Sequence, residues 1–104
     1  MNNCQVHYSK AAIRDLDRVY AELLEASKDT LTTEQYILNL LDKIEKKAAY
    51  PQPGSPLYYE NSFAGYYYVV FKAYLAFYRI ENDNMYVDRV LYGKSDYMRS
   101  MHLT

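Results

Sequence analysis

Tyr66-Tyr67-Tyr68-Val69-Val70-Phe71-Lys72-Ala73-Tyr74-Leu75-Ala76-Phe77-Tyr78-Arg79-Ile80-Glu81-Asn82-Asp83-Asn84-Met85-Tyr86-Val87-Asp88-Arg89-Val90-Leu91-Tyr92 is the stretch that decides the fold class. Residues 66–71 are a continuous run of aromatic and β-branched side chains, the composition of a buried strand. Residues 74–81 alternate. Tyr74, Ala76, Tyr78 and Ile80 share one face, and Leu75, Phe77, Arg79 and Glu81 share the other. In residues 85–92, Val87, Arg89 and Leu91 are expected opposite Tyr86, Asp88, Val90 and Tyr92. Lys72-Ala73 reads as a tight turn without the usual Gly or Asn. Asn82-Asp83-Asn84 is a strong turn signal, because short amide and carboxylate side chains bond their own backbone. Three consecutive strands with short turns predict an antiparallel meander.

Upstream, residues 57–64 read as part loop and part edge. Tyr50-Pro51-Gln52-Pro53-Gly54-Ser55-Pro56 stops whatever precedes it and reads as an ordered connector, not a domain boundary. Before it the period changes from two to three and four. Ile37, Leu40, Leu41, Ile44 and Ala48 form the stripe of a helix over 33–49, and Thr32 with Gln35 fits a capping box. Lys43, Glu45, Lys46 and Lys47 fall on its wet side. Lys28-Asp29-Thr30-Leu31 reads as a short turn. A first helix over 10–27 carries Ile13, Leu16, Tyr20, Leu23 and Leu24, with Val19 beside them, and Ser9 offers its hydroxyl as cap. Arg14, Asp15, Asp17, Arg18 and Glu22 are expected outside that stripe, with Asp15–Arg18 and Arg18–Glu22 at pairing distance. Residues 4–8 are an extended segment expected at an edge of the meander. Two amphipathic helices need an apolar partner, and the sheet supplies it. The expectation is a single α+β domain over 1–104, in the order β-α-α-β-β-β: N-terminal strand, α-hairpin, three-stranded antiparallel meander. Residues 93–104 are expected to be a short, partly polar tail.

Composition removes several functions. A chain of 104 residues and 12.3 kDa builds one core, and 50% apolar with 24% charged residues is a globular balance. Twelve basic against thirteen acidic groups leave a net charge of −1, so bulk charge does not attract nucleic acid. One cysteine, Cys4, excludes an internal disulfide framework. No apolar run reaches the roughly 18 residues of a membrane span, and Met1-Asn2-Asn3-Cys4-Gln5 lacks a secretion pattern, so a cytoplasmic location without membrane contact is expected. There is no Gly-rich phosphate loop, and His7 and His102 stand in no metal-ligand spacing, so neither cofactor nor metal is expected. The 14 tyrosines are strand formers first and a contact surface second. The polar cluster that remains lies near the end of the chain: Arg89, Tyr92, Lys94, Asp96, Tyr97, Arg99 and His102. Such a set can hold a phosphodiester and move a proton at a ribose hydroxyl, or it can dock a partner.

The order of motifs resembles the RelE/ParE superfamily of type II toxins. Tyr8-Ser9-Lys10-Ala11-Ala12-Ile13-Arg14-Asp15-Leu16 is similar to that family's opening strand and first helix. Phe63-Ala64-Gly65-Tyr66-Tyr67 resembles the approach to its central sheet, and Tyr74-Leu75-Ala76-Phe77-Tyr78-Arg79-Ile80 its central strand. Val90-Leu91-Tyr92-Gly93-Lys94-Ser95-Asp96-Tyr97 resembles its closing strand and Gly-basic-x-Asp-Tyr ending. The resemblance covers nearly the whole chain. It implies an α-hairpin on an antiparallel sheet, a toxin with a cognate antitoxin, and as target either DNA gyrase or the ribosome with its mRNA. It also implies Lys94, Tyr97 and His102 as catalytic candidates, and we add Arg79, Arg89, Tyr92 and Arg99 as target-binding candidates. The ribonuclease branch carries basic residues where this chain has Tyr66, Tyr68, Leu75 and Ser95, and in some members a Glu base where Ser55 precedes Pro56-Leu57. Replacing a charged donor removes a bond to phosphate worth about 1.5–3 kcal/mol. That favours a binding toxin of the gyrase-inhibiting kind over an mRNA endoribonuclease. A relative that retains antitoxin binding alone, and a small binding module unrelated to toxins, stay open.

Overall fold

Ser9 joins the first strand to the first helix and ties both to the last strand. In the computed structural model, which describes residues 4–49 and 54–103, its backbone is extended at φ −68° and ψ 162°. Its Oγ accepts the Ala12 N–H at 2.9 Å, satisfying one of the orphan donors of the first helical turn. The same hydroxyl donates to the Asp88 carbonyl at 2.8 Å, and the Ser9 N–H donates to the Val87 carbonyl at 3.0 Å. One short side chain thus ends β1 (Gln5–Tyr8), starts α1 (Lys10–Ser27) and anchors them to β5 (Asn84–Tyr92). α1 has the expected bounds. It stops at Lys28, which takes the left-handed conformation at φ 58° and returns its N–H to the Leu24 carbonyl.

α2 (Thr30–Ala49) begins earlier than the capping-box reading places it. Asp29 provides the start: its Oδ1 accepts the Leu31 N–H at 3.2 Å and its Oδ2 accepts the Thr32 hydroxyl at 2.5 Å. Thr32 therefore lies inside the helix, and the Gln35 amide turns to Asn39 Oδ1. A carboxylate at this end also meets the positive pole of the helix, which a hydroxyl cap does not exploit. The expectations for residues 1–3 and for positions 50–53 of the proline connector lie outside the described residues.

The sheet has five strands in the order β1-β5-β4-β3-β2, adding β2 (Ser55–Tyr59), β3 (Ser62–Phe71) and β4 (Tyr74–Glu81). β1 pairs with β5 in parallel and the other pairs are antiparallel. The α+β class, the hairpin, the edge placement of the first strand and the bounds of β4 agree with the sequence reading. The meander, however, has four strands. Residues 57–64 contain the rest of an edge strand and a two-residue turn, Glu60-Asn61, with both residues at positive φ. That conformation usually advertises itself through Gly, and its absence hid the turn. Lys72-Ala73 and Asn82-Asp83 are the other two tight turns, with Lys72 at φ 52° and Asn82 at φ 56°.

A second correction lies inside β5. Tyr78 stands opposite Val87 while Phe77 stands opposite Arg89, so Asp88 is an extra residue, a β-bulge. The bulge resets the alternation. Met85, Val87 and Val90 all join the core under the helices, and Leu91 packs on the opposite face, so Val87 and Leu91 do not share a side as strict period two requires.

The core between sheet and hairpin contains Val19, Leu40 and Ile44 from the helices and Ala76, Tyr78 and Met85 from the strands. Phe77 points the other way and is fully buried, which contributes about 1.5–3 kcal/mol. Its cover is the C-terminal segment, expected as a polar tail. α3 (Tyr97–Ser100) and the residues after it place Tyr97, Met98, Met101 and Leu103 against Phe77, Leu91 and Leu57. Both faces of β4 are apolar, so both need covering. Ile13, counted in the α1 stripe, is half exposed instead, and with Leu31 and Leu38 of α2 it leaves apolar surface on the hairpin. Among the described residues no helix is long and apolar enough to cross a membrane.

Candidate functional site

β1 runs beside only the first half of β5, ending opposite Val87, so the second half of β5 needs another partner. α1 supplies it through Asp15. Asp15 is 1% exposed, and its carboxylate accepts the Val90 N–H at 2.9 Å, filling a backbone bond on the side of β5 that β1 leaves open. Arg89 reaches the same carboxylate with two bonds, Nε to Oδ2 at 2.7 Å and Nη2 to Oδ1 at 3.0 Å, and donates from Nη1 to the Ser100 carbonyl at 3.1 Å. This fork–fork geometry is the strongest kind of side-chain ion pair. The bond to Asp15 also raises the Arg89 pKa above its ordinary value. Arg18 adds a second guanidinium to Asp15 at 3.2 Å and lies 3.6 Å from Glu22, so both pairings expected along α1 form. Asp15 itself was placed on the wet side by periodicity; its burial depends on a partner 74 residues away. Arg89 therefore connects α1, the bulge and α3.

Arg79 has its own set of partners. Its guanidinium donates to Asp88 Oδ2 at 2.8 Å, pairs with Glu81, and lies over the Tyr86 ring at 4.8 Å. His7 stacks on Tyr86 with ring centroids 5.0 Å apart, and its Nε2 is 2.9 Å from Asn84 Oδ1. Tyr86 is thus covered on one ring face by Arg79 and approached on the other by His7. Burial raises the pKa of the neighbouring Tyr66 phenol, and the Asp88 charge adds to that.

Lys94, Tyr97 and His102 do not share one cavity. Lys94 is exposed in the turn after β5. Tyr97 packs on Phe77 with ring centroids 5.4 Å apart and the rings tilted by 36°, and it lines a 490 Å³ aromatic groove with Leu57, Tyr68 and Met98. His102, at φ 60°, lines a 260 Å³ groove with Ser9, Tyr66, Asp88 and Arg89. Arg99 is exposed and sits 3.8 Å from Asp96, which caps α3. Tyr92 is 44% exposed and, with Tyr74, lines a 440 Å³ groove together with Arg18, Glu22 and Arg89. Burial raises the Tyr74 pKa first, with Glu22 adding to it. Among the described residues no three His, Cys, Asp or Glu side chains gather in a set that could hold a metal ion. Sequence reasoning missed Asp15, Arg18, Tyr66 and Asp88 as members of these clusters. Asp15 and Arg18 left a trace as a helix pair, and Tyr66 as a position where the ribonuclease branch carries a basic residue.

The model of the ParE toxin of type II toxin–antitoxin systems, parDE, matches residues 6–97. This chain belongs to the ParE toxin family. As a type II toxin-family protein of the RelE/ParE superfamily, it has the fold its relatives have. The toxin–antitoxin structure of the chromosomal ParDE system from P. aeruginosa superposes with a TM-score of 0.72 at 12% identity, covering 86% of this chain and 95% of that one. The RelBE2 toxin–antitoxin complex from Mycobacterium tuberculosis gives a TM-score of 0.59 at 21% identity, covering 88% and 93%. No curated protein matches the toxin-family chain in sequence.

Proposed function

We propose that this chain is a growth-arresting toxin that acts by binding a nucleic-acid machine, in the manner of a gyrase inhibitor, and is neutralised by a cognate antitoxin. The observation that carries this reading is how the cations near the bulge are occupied. Arg79 is bonded to Asp88 and paired with Glu81, Arg89 is bonded to the buried Asp15, and Lys94, Tyr97 and His102 line no common cavity among those described. A ribonuclease of this size, with a net charge of −1, needs free local cations to hold a phosphodiester. A binding toxin does not. The partner is an antitoxin because the relatives of the fold come from the ParDE system and the RelBE2 complex, and because the hairpin exposes Ile13, Leu31 and Leu38. A second reading, ribosome-dependent mRNA cleavage, draws on one groove that brings His102, Tyr66 and Arg89 together.

Two measurements separate the readings. The purified chain is titrated into a gyrase supercoiling reaction, and cellular mRNA 5′ ends are mapped after induction in a bacterial host. Loss of supercoiling without new mRNA ends is the expected result. New ends inside translated codons that disappear in His102→Ala or Lys94→Ala would replace it with the ribonuclease. Neither effect, with antitoxin binding retained, would leave a relative without toxicity.

A further inference from the structure

The groove between α1 and the end of β5 holds two guanidinium groups that share one buried anion. Asp15 balances one positive charge, and Arg89 takes most of it through the two-bond fork. The remaining positive charge belongs to Arg18. Its other counterion is Glu22 at 3.6 Å, beyond good hydrogen-bond length, and the two side chains are 50% and 60% exposed. An exposed pair of that kind contributes little and is readily exchanged. Arg89 also keeps donor capacity, because a guanidinium has five N–H groups and the Asp15 and Ser100 bonds use three. The rest of the lining is Tyr74, Leu91 and Tyr92, an apolar and aromatic wall beside the charge.

We propose that this groove is a recognition pocket for a carboxylate side chain presented by an apolar segment of a partner protein. It rests on the reading that this chain binds a protein, and not on which target it arrests. The incoming carboxylate takes Arg18 from Glu22, which swings into water, and its apolar neighbours lie on Tyr92 and Leu91. A phosphate backbone fits less well. A run of phosphates leaving the groove along α1 meets the Glu22 carboxylate, whereas an isolated carboxylate meets Arg18, which Glu22 holds only loosely, and then the apolar and aromatic wall. Glu22 is thus a built-in competitor. That gives the proposal a signature a merely structural Arg18–Glu22 pair lacks: removing the competitor strengthens binding.

The probe is an acetylated, amidated pentapeptide of sequence Leu-Glu-Phe-Glu-Leu, added to the labelled full chain and followed by the Arg18 Nε–H and Tyr92 ring resonances. Saturable shifts are expected, absent with the Gln-for-Glu peptide and weakened by salt. Glu22→Gln tightens binding about threefold, and Arg18→Ala weakens it about tenfold or more. Arg18→Gln keeps a donor toward Asp15, so it repeats the test if Arg18→Ala loses the fold. No saturable shift, or an affinity unchanged in Glu22→Gln, overturns the proposal. So does a single-stranded oligonucleotide that moves the same resonances at lower concentration than the peptide. Failure here leaves the gyrase reading standing, because the peptide experiment contains no gyrase.

Discussion

Asp15→Asn keeps the volume of the side chain and removes its charge, and the structure gives the cost. The carboxylate receives the Val90 N–H at 2.9 Å, Arg89 at 2.7 and 3.0 Å, and Arg18 at 3.2 Å. An amide can still accept the Val90 bond through its one oxygen. That oxygen also keeps the Arg89 Nε bond, but the NH2 group takes the place of Oδ1 and faces the Nη2 donors of Arg89 and Arg18, and the Arg89 guanidinium loses its buried counterion. Removing one member of a buried pair costs about 3–5 kcal/mol. Arg89 is 25% exposed and recovers some hydration, so the lower end applies, about 3 kcal/mol. Arg89→Met leaves Asp15 with Val90 and Arg18, so it costs less, about 2 kcal/mol, the scale of a buried acceptor left short of a partner. The double variant loses the pair once, so its cost falls short of the sum by at least about 1.5 kcal/mol. The assay is urea unfolding followed by circular dichroism and by tyrosine emission, since the chain has 14 Tyr and no Trp. At about 4 °C per kcal/mol, Asp15→Asn lowers Tm by about 12 °C. Additive single costs, or an Asp15→Asn cost under about 1 kcal/mol, would refute the view that this carboxylate secures the open half of β5.

Two further outcomes follow from buried hydroxyls. Among the buried side-chain polar atoms described, the Tyr8 hydroxyl is the one without a hydrogen-bond partner, and burial, reinforced by the Glu45 charge, pushes its pKa from 10.0 up to about 12. Its neutral form is the favoured one in the fold, so this contribution is complete below pH 10 and is lost as the pH rises toward 12. Tyr8→Phe removes that alkaline loss, about 2–3 kcal/mol over the window, and leaves stability at pH 7 unchanged or higher in the same urea series. Gly54→Ala acts at the Tyr78 hydroxyl, which accepts the Gly54 N–H at 2.8 Å. The added Cβ would lie 2.5 Å from that oxygen, so the bond breaks and about 1–3 kcal/mol is lost, whereas combining it with Tyr78→Phe costs less than the two separately.

The hairpin and the central strand were legible because their signals are local. α1 has the bounds its stripe and Ser9 cap predict, and β4 has the bounds its alternation predicts. The turn Lys72-Ala73 was legible from spacing alone, despite a residue that pays for its left-handed backbone without glycine. β2 was half legible, since an edge strand carries a weak pattern and its Glu60-Asn61 turn lacks the expected residues. Of the candidate site, the residue types were readable but their partners were not. Nothing near Arg89 in sequence says that Asp15 and Ser100 will occupy its guanidinium.

By itself, then, the sequence determined the α+β class and the element order around the hairpin, whose signals repeat along the chain at periods of two to four residues, and its motifs in order carried the toxin-family resemblance. Tertiary structure decided three other things. It placed an extra residue, Asp88, in β5 and so turned Leu91 to the far face. It buried Asp15 against a strand 74 residues away. It folded the polar tail into α3 over Phe77. Each depends on which surfaces meet once the sheet has formed. A bulge is defined only against its neighbouring strand, and a charge enters the interior only where a partner and an open backbone N–H await it.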